Sequence, residues 1–183
     1  MKSTLAAMLL CLFGMAAYGQ EFKVGTQVIS ADVGLGSGLD TYSGSSGGIG
    51  ISANYERGFW EAGPGTVSLA GYLGRVSYSY SGPGYDQKWN YTIVGIRGAW
   101  HYTELDVENL DVYAGVLASY NILDYKYTDG TGGIYGVDSY GSYPGVTPFA
   151  GGRYYFTKNF AANAEVGYGV AILQLGVSYK FND

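Results

Sequence analysis

The chain has 183 residues, the length of one domain, and its 31 glycines, 20 tyrosines, single histidine and 14% charged residues set it apart from ordinary soluble proteins. The net charge of -5, with lysines and arginines scattered singly, excludes nucleic acid as a partner, because phosphate binding needs clustered cations. The only cysteine, Cys11, lies in the leader read below, so the mature chain is expected to hold together without an intramolecular disulfide.

Met1 and Lys2, the apolar run "LAAMLLCLFGMAAYG" and the small residues Ala17 and Gly19 ahead of Gln20 have the order of a secretory signal. A signal peptide over 1-19 and a single β-domain over 20-183 are expected. The run is too short for the roughly 20 apolar residues a spanning helix needs. Leu10 stands before Cys11 where a lipidation signal requires a small residue.

Beyond Gln20 the helical period is absent, and eight alternating stretches are separated by clusters of Gly, Ser, Asn, Asp and Pro. They run over about 24-36, 48-58, 66-80, 89-102, 110-123, 144-156, 160-169 and 171-181. In the first, Ile29, Ala31, Val33 and Leu35 oppose Asp32; in the second, Ile49, Ile51, Ala53 and Tyr55 oppose Glu56. The third is mixed: Tyr72, Val76, Tyr78 and Tyr80 oppose Arg75, yet Val67, Leu69 and Leu73 share the arginine's side, so a bulge or change of phase is expected mid-strand. The fourth sets Val94, Ile96, Trp100 and Tyr102 against Arg97 and His101, and the fifth sets Val112 to Ile122, every second residue, against Asp111, Ser119 and Asn121. Val146, Ala150, Tyr154 and Phe156 oppose Arg153; Phe160 to Tyr168 oppose Asn163 and Glu165; Leu173, Leu175, Val177, Tyr179 and Phe181 oppose Lys180.

Connections alternate between longer polar loops, at 37-47, 81-88 and 124-143, and short turns such as "FWEAGPG", "TELDVEN" and "TKN". The apolar face is aliphatic in its middle. Near the short turns it carries Trp100, Tyr102, Tyr154, Phe156, Phe160, Tyr179 and Phe181, and near the loops Tyr78, Tyr80, Trp89, Tyr91, Tyr120 and Tyr168. Two aromatic bands around an aliphatic belt are the girdles of a strand meander crossing a membrane. An arginine facing lipid at the midplane costs roughly 2-4 kcal/mol, so the charges are expected to turn inward. The expected fold is therefore all-β, an eight-stranded antiparallel transmembrane meander barrel, with a lumen network of Asp32, Glu56, Arg75, Arg97, Arg153, Glu165 and Lys180.

No catalytic, cofactor-binding or metal-ligating set is expected. His101 would need a nearby serine and carboxylate to act as a base, and a structural role is preferred. Glu56 and Glu165 are explained by charge balance. "TDGTGG" lacks the repeated acids of a calcium loop, and "GLGSG" opens no helix that would bind phosphate. "GFW" at 58-60 is assigned to a girdle, and the sequon Asn90-Tyr91-Thr92 to a strand start.

The signal, the amphipathic stretches, segments such as "YTIVGIRGAWHY" and "DVYAGVLASYNI", and the terminal "LQLGVSYKF" together resemble the small eight-stranded outer-membrane β-barrels, the outer membrane protein A and X type. The resemblance implies export through the periplasm to the outer membrane, contact with outer-membrane lipid and lipopolysaccharide, and recognition of Leu173-Phe181 by the barrel-assembly machinery. Asn182 and Asp183 depart from it, since the family signal commonly ends on the aromatic. It implies a structural or adhesion-type role with an extracellular partner of unspecified kind; a narrow porin-like channel and a lipid-modifying enzyme are the alternatives.

Overall fold

Alternation of small polar and apolar residues commits the chain to strands with two distinct faces, and turn-forming pairs decide where each strand reverses. The computed structural model describes residues 22-35, 46-47, 49-83, 85-105, 107-129, 134-138 and 141-181. The signal region, most of loop 37-47, residues 130-133 of "TDGTGG" and the final Asn182 and Asp183 lie outside them.

The strands are β1 (Gln27–Leu35), β2 (Ser46–Gly47), β3 (Gly50–Glu61), β4 (Gly65–Gly82), β5 (Tyr85–Tyr102), β6 (Leu110–Asp129), β7 (Ile134–Asp138), β8 (Tyr143–Tyr155), β9 (Phe160–Gly167) and β10 (Leu173–Lys180). Eight of them close a ring in the order β1-β3-β4-β5-β6-β8-β9-β10, every neighbour antiparallel, with β1 pairing β10. The short β2 and β7 pair only with β4 and β6 above the ring. Closure leaves the ring without a sheet edge, the condition for strands in hydrocarbon.

The registers fix the stagger. Passing from Arg75 through Ile51, Val33, Leu175, Ala164, Gly152, Val112 and Tyr102 returns to β4 at Gly65, ten residues below the start (75 − 65). With eight strands, that shear gives a tilt of about 40° and a bore that side chains fill. Each strand residue then climbs ~2.5 Å along the axis.

The outer wall is apolar: Ile96 is 66% exposed, Val146 73% and Val177 58%, and the same face continues through Ile29, Val33, Ile51, Val94, Val116 and Leu175. No water-soluble domain displays a continuous belt of this size. Below it lie Trp60, Trp100, Tyr154, Phe156, Phe160 and Phe181, with Phe160 and Tyr179 rings 4.9 Å apart and Tyr179 and Phe181 rings 5.1 Å apart. Gly63, with φ of 58°, makes the tight β3-β4 turn, whose Ala62 carbonyl accepts the Trp100 indole N–H at 2.9 Å. Above the belt stand Tyr120, Tyr143 and Tyr168.

Four expectations are corrected. β4 keeps one phase throughout, with Ser68, Ala70, Tyr72, Val76 and Tyr78 inside and Leu69, Leu73 and Arg75 outside, so Arg75 does not belong to the lumen. The irregularity falls on β3 instead: the register jumps between Gly58 paired to Ser68 and Trp60 paired to Val67, which turns both Phe59 and Trp60 outward. Tyr78, Tyr80, Trp89 and Tyr91 face inward rather than to lipid, and the stretches 85-88 and 124-129 continue strands β5 and β6 rather than forming loops.

Candidate functional site

Inward-facing charge concentrates on two levels. At the lower level β3 supplies Glu56, β4 Ser68, β5 His101, β6 Asp111 and β8 Arg153, brought together by the stagger although Glu56 and Arg153 are 97 residues apart in sequence. The Arg153 guanidinium donates to Glu56 and, at 3.1 Å, to Asp111 Oδ2, while its plane lies 4.6 Å from the Tyr113 ring. His101 Nδ1 is 2.8 Å from Asp111 Oδ1 and Nε2 is 3.1 Å from Glu56 Oε1. The Ser68 hydroxyl donates to Glu56 Oε1 at 2.7 Å.

At the upper level Arg97 pairs with Glu165 and stacks 3.8 Å from the Phe149 ring. Tyr113 donates to Glu165 at 3.3 Å. Gln174 donates to Glu165 and accepts from Ser52 at 2.8 Å and from Tyr72 at 3.3 Å. Asp32 accepts from Asn163, whose own carbonyl accepts from Ser178 at 2.9 Å. Lys180 lies apart from this level, at the lower end of β10 beside the turn at Asn159, 5.4 Å from the Tyr155 ring.

The structure thus places Asp32, Glu56, Arg97, Arg153, Glu165 and Lys180 inside, brings Glu56 to Arg153 and Glu165 to Arg97, and leaves Arg75 on the outer wall. Asp111 and His101 complete the lower cluster. Both sit on the inward side of an alternating strand, and that phase was the signal for them. Among the described residues the buried ionisable set is four acids, two arginines, one lysine and His101, so an imidazolium in place of Arg75 balances the charge.

Ser68 Oγ, His101 Nε2 (3.0 Å) and Asp111 form the chain of contacts seen in nucleophilic hydrolases. Three features remove its chemistry. Both imidazole nitrogens face carboxylates, the arrangement of a ring donating from each and able to take no proton. The serine donates to Glu56 rather than to the ring. Access is blocked as well: Ser68 and His101 are 0% exposed, and Phe22 stacks flat on His101 with centroids 3.7 Å apart. Phe22 is held there by a turn in which Thr26 N–H bonds Lys23 O at 3.0 Å and Gly25 N–H bonds Gly58 O at 3.0 Å. A fluorophosphonate probe is therefore expected to leave the folded protein unlabelled at Ser68, measured by intact mass; adduct formation there would establish an accessible nucleophile.

The upper mouth is filled by the β9-β10 connection. Val170 and Ala171 are buried over Gly34, Gly50 and Gly74, where a Cβ at Gly50 would lie 3.0 Å from Val170. Beneath them the void beside Arg97, Glu165 and Gln174 is about 10 Å³, room for about one water. Among the described residues no group of three or more His, Cys, Asp or Glu side chains is placed to hold a metal.

Above the mouth, β4, β5 and β6 continue to the pairs Gly82–Tyr85 and Tyr85–Asp129, flanked by β2 and β7. Their inner face is aromatic. The Tyr80 and Tyr85 rings are 6.0 Å apart, Tyr85 and Tyr127 6.2 Å, and Trp89 and Tyr125 5.6 Å.

No protein-family model matches the sequence, and no curated protein matches it. Solved structures do resemble its fold. A de novo designed transmembrane β-barrel superimposes with a TM-score of 0.50 at 18% identity, covering 88% of this chain and all of that one. The attachment invasion locus protein Ail of Yersinia pestis, solved with the heparin analogue sucrose octasulfate, gives 0.50 at 17% identity over 86% of this chain and 97% of Ail. A second Ail structure gives 0.50 at 16% identity over 86% and 99%. The fold is that of the eight-stranded antiparallel transmembrane meander barrels.

Proposed function

We propose that this transmembrane β-barrel resides in an outer membrane and acts there as a non-enzymatic surface-interaction protein of the adhesion type, through the strands and loops above its upper girdle. The observation that carries this reading is the continuation of the wall beyond the membrane band. From Tyr120, level with the girdle, β6 runs nine more residues to Asp129 (129 − 120), about 20 Å along the axis. A sheet of β4, β5 and β6 raised that far, with β2 and β7 at its flanks, serves no purpose in spanning lipid.

Its chemistry supports contact with another surface. Tyrosine and tryptophan offer large, rigid, amphipathic area at low entropic cost, and Tyr80, Tyr85, Trp89, Tyr125 and Tyr127 present theirs half-buried on one face. Ail, a fold-level analogue only, carries attachment in its name and binds a polyanion. The net charge of -5 here favours a partner less anionic than that ligand. The outward Leu173, Leu175, Val177, Tyr179 and Phe181 of the closing strand support handling by the barrel-assembly machinery.

The test is surface display of the full chain with Y80S, Y85S and Y127S combined. Adhesion of displaying cells to a host-cell layer is expected to fall at least tenfold, with heat-modifiable gel mobility retained. Undiminished adhesion with a folded barrel would remove this reading.

A further inference from the structure

We propose that the outer wall carries a binding site for an anionic, phosphate-bearing membrane lipid, formed by Arg75 over the trough between β3 and β4. The placement of Arg75 is the first observation. It stands eight residues up β4 from Val67, which pairs with the lower-girdle Trp60 (75 − 67), about 20 Å along the axis. That is the upper edge of a band about 25 Å tall. The ladder from Arg75 through Thr92 to Ile122, corrected for the stagger, makes it level with Tyr120 of the upper girdle. Its guanidinium therefore lies at headgroup depth while its stem lies among acyl chains.

The second observation is a charge without a counterpart. Arg75 makes no ion pair among the described residues, whereas Arg97 and Arg153 inside the barrel each bond a carboxylate. A guanidinium offers five donors in a planar fork that matches a phosphate bidentately.

The third observation is a groove beneath the cation. A depression of about 360 Å³ is lined by Ile51, Ala53, Leu73 and Arg75, with Thr92 beside them. Ile51 and Leu73 form its ridges, and the small side chain of Ala53 keeps its floor low. From Arg75 to Leu73 the trough descends about 5 Å along the axis, the reach of the first few methylenes of an acyl chain. Apolar trough and cation at its headgroup end together select a lipid with an acidic head.

This site is independent of the surface sheet, so its failure leaves the adhesion reading untouched. The experiment uses the mature full chain refolded in micelles and native mass spectrometry with added phosphatidylglycerol, phosphatidylcholine, lipid A or inorganic phosphate. The unsubstituted protein is expected to retain phosphatidylglycerol or lipid A at least fivefold over phosphatidylcholine, and inorganic phosphate is expected not to compete. R75Q is expected to abolish that preference, R75K to keep part of it, and L73W, which fills the trough from the lipid side while leaving Arg75 in place, to lower total lipid retention. Equal retention by R75Q and the unsubstituted protein, full competition by inorganic phosphate, or an unaffected L73W would each overturn the proposal. Gel mobility with and without boiling confirms that every variant compared is folded.

Discussion

Replacing Arg153 with methionine is expected to destabilise the folded barrel by about 3-5 kcal/mol, the cost of leaving buried charges without their partner. That corresponds to roughly two to four decades in the folding equilibrium constant. Arg153 bonds both Glu56 and Asp111, all three are buried, and His101 alone cannot offset two carboxylates that also lose the guanidinium's hydrogen bonds. Urea titration of the refolded protein, followed by the gel-mobility difference between boiled and unboiled samples, measures the shift. Arg153→Lys is expected to fall between, because one ammonium lacks the planar fork that reaches two carboxylates at once. Arg75→Gln, on the outer wall, is expected to change stability by no more than about 0.5 kcal/mol. Equal losses for R153M and R75Q would mean that the interior cluster does not hold the barrel together.

The contrast between these two arginines also shows what the sequence discloses. Seven of the eight amphipathic stretches have the faces that alternation assigns them, because a period of two between lipid and a narrow bore leaves no intermediate environment. β4 misleads since both its faces contain apolar residues: Tyr72 lies beside Arg97 in the upper cluster and Val76 and Tyr78 fill the bore above it, while Leu69 and Leu73 face lipid. Anchoring that strand on the rule that arginines turn inward inverts it. The penalty behind the rule holds at the midplane, where Arg97 stands, and fades near the interfaces, where Arg75 stands. Which charges meet is harder to read than which face they share. Arg153 finds Asp111 across 42 residues and Glu56 across 97, and only the ten-residue stagger of the closed sheet determines that Asp111 and His101 join them. The aromatic inner face above the mouth was hidden for a related reason. "YSGPGYDQK" has the composition of a loop, yet its flanking strands pair through it to Gly82 and Tyr85.

Replacing Val170 with aspartate is expected to expel the β9-β10 connection from the upper mouth while leaving the barrel folded. Val170 is 0% exposed and rests over Gly34, Gly50 and Gly74, where the Tyr72 hydroxyl is the nearby side-chain donor, and one phenol does not replace the water a carboxylate loses on burial. Releasing the loop forfeits about 1.5-3 kcal/mol of apolar burial, less than the cost of interring an unpaired charge. Limited proteolysis is expected to cut within 168-172 in the variant and not in the unsubstituted protein, at unchanged gel mobility. Planar-bilayer recordings then separate two ways of closing the bore. Below Val170 the Arg97, Glu165 and Gln174 layer and the Glu56, His101, Asp111 and Arg153 layer fill the lumen, and Phe22 closes it underneath. Neither protein is therefore expected to conduct. Steady single-channel steps from V170D alone would show that the loop is the seal, and steps from both would show that the packed charge layers leave a continuous path for ions.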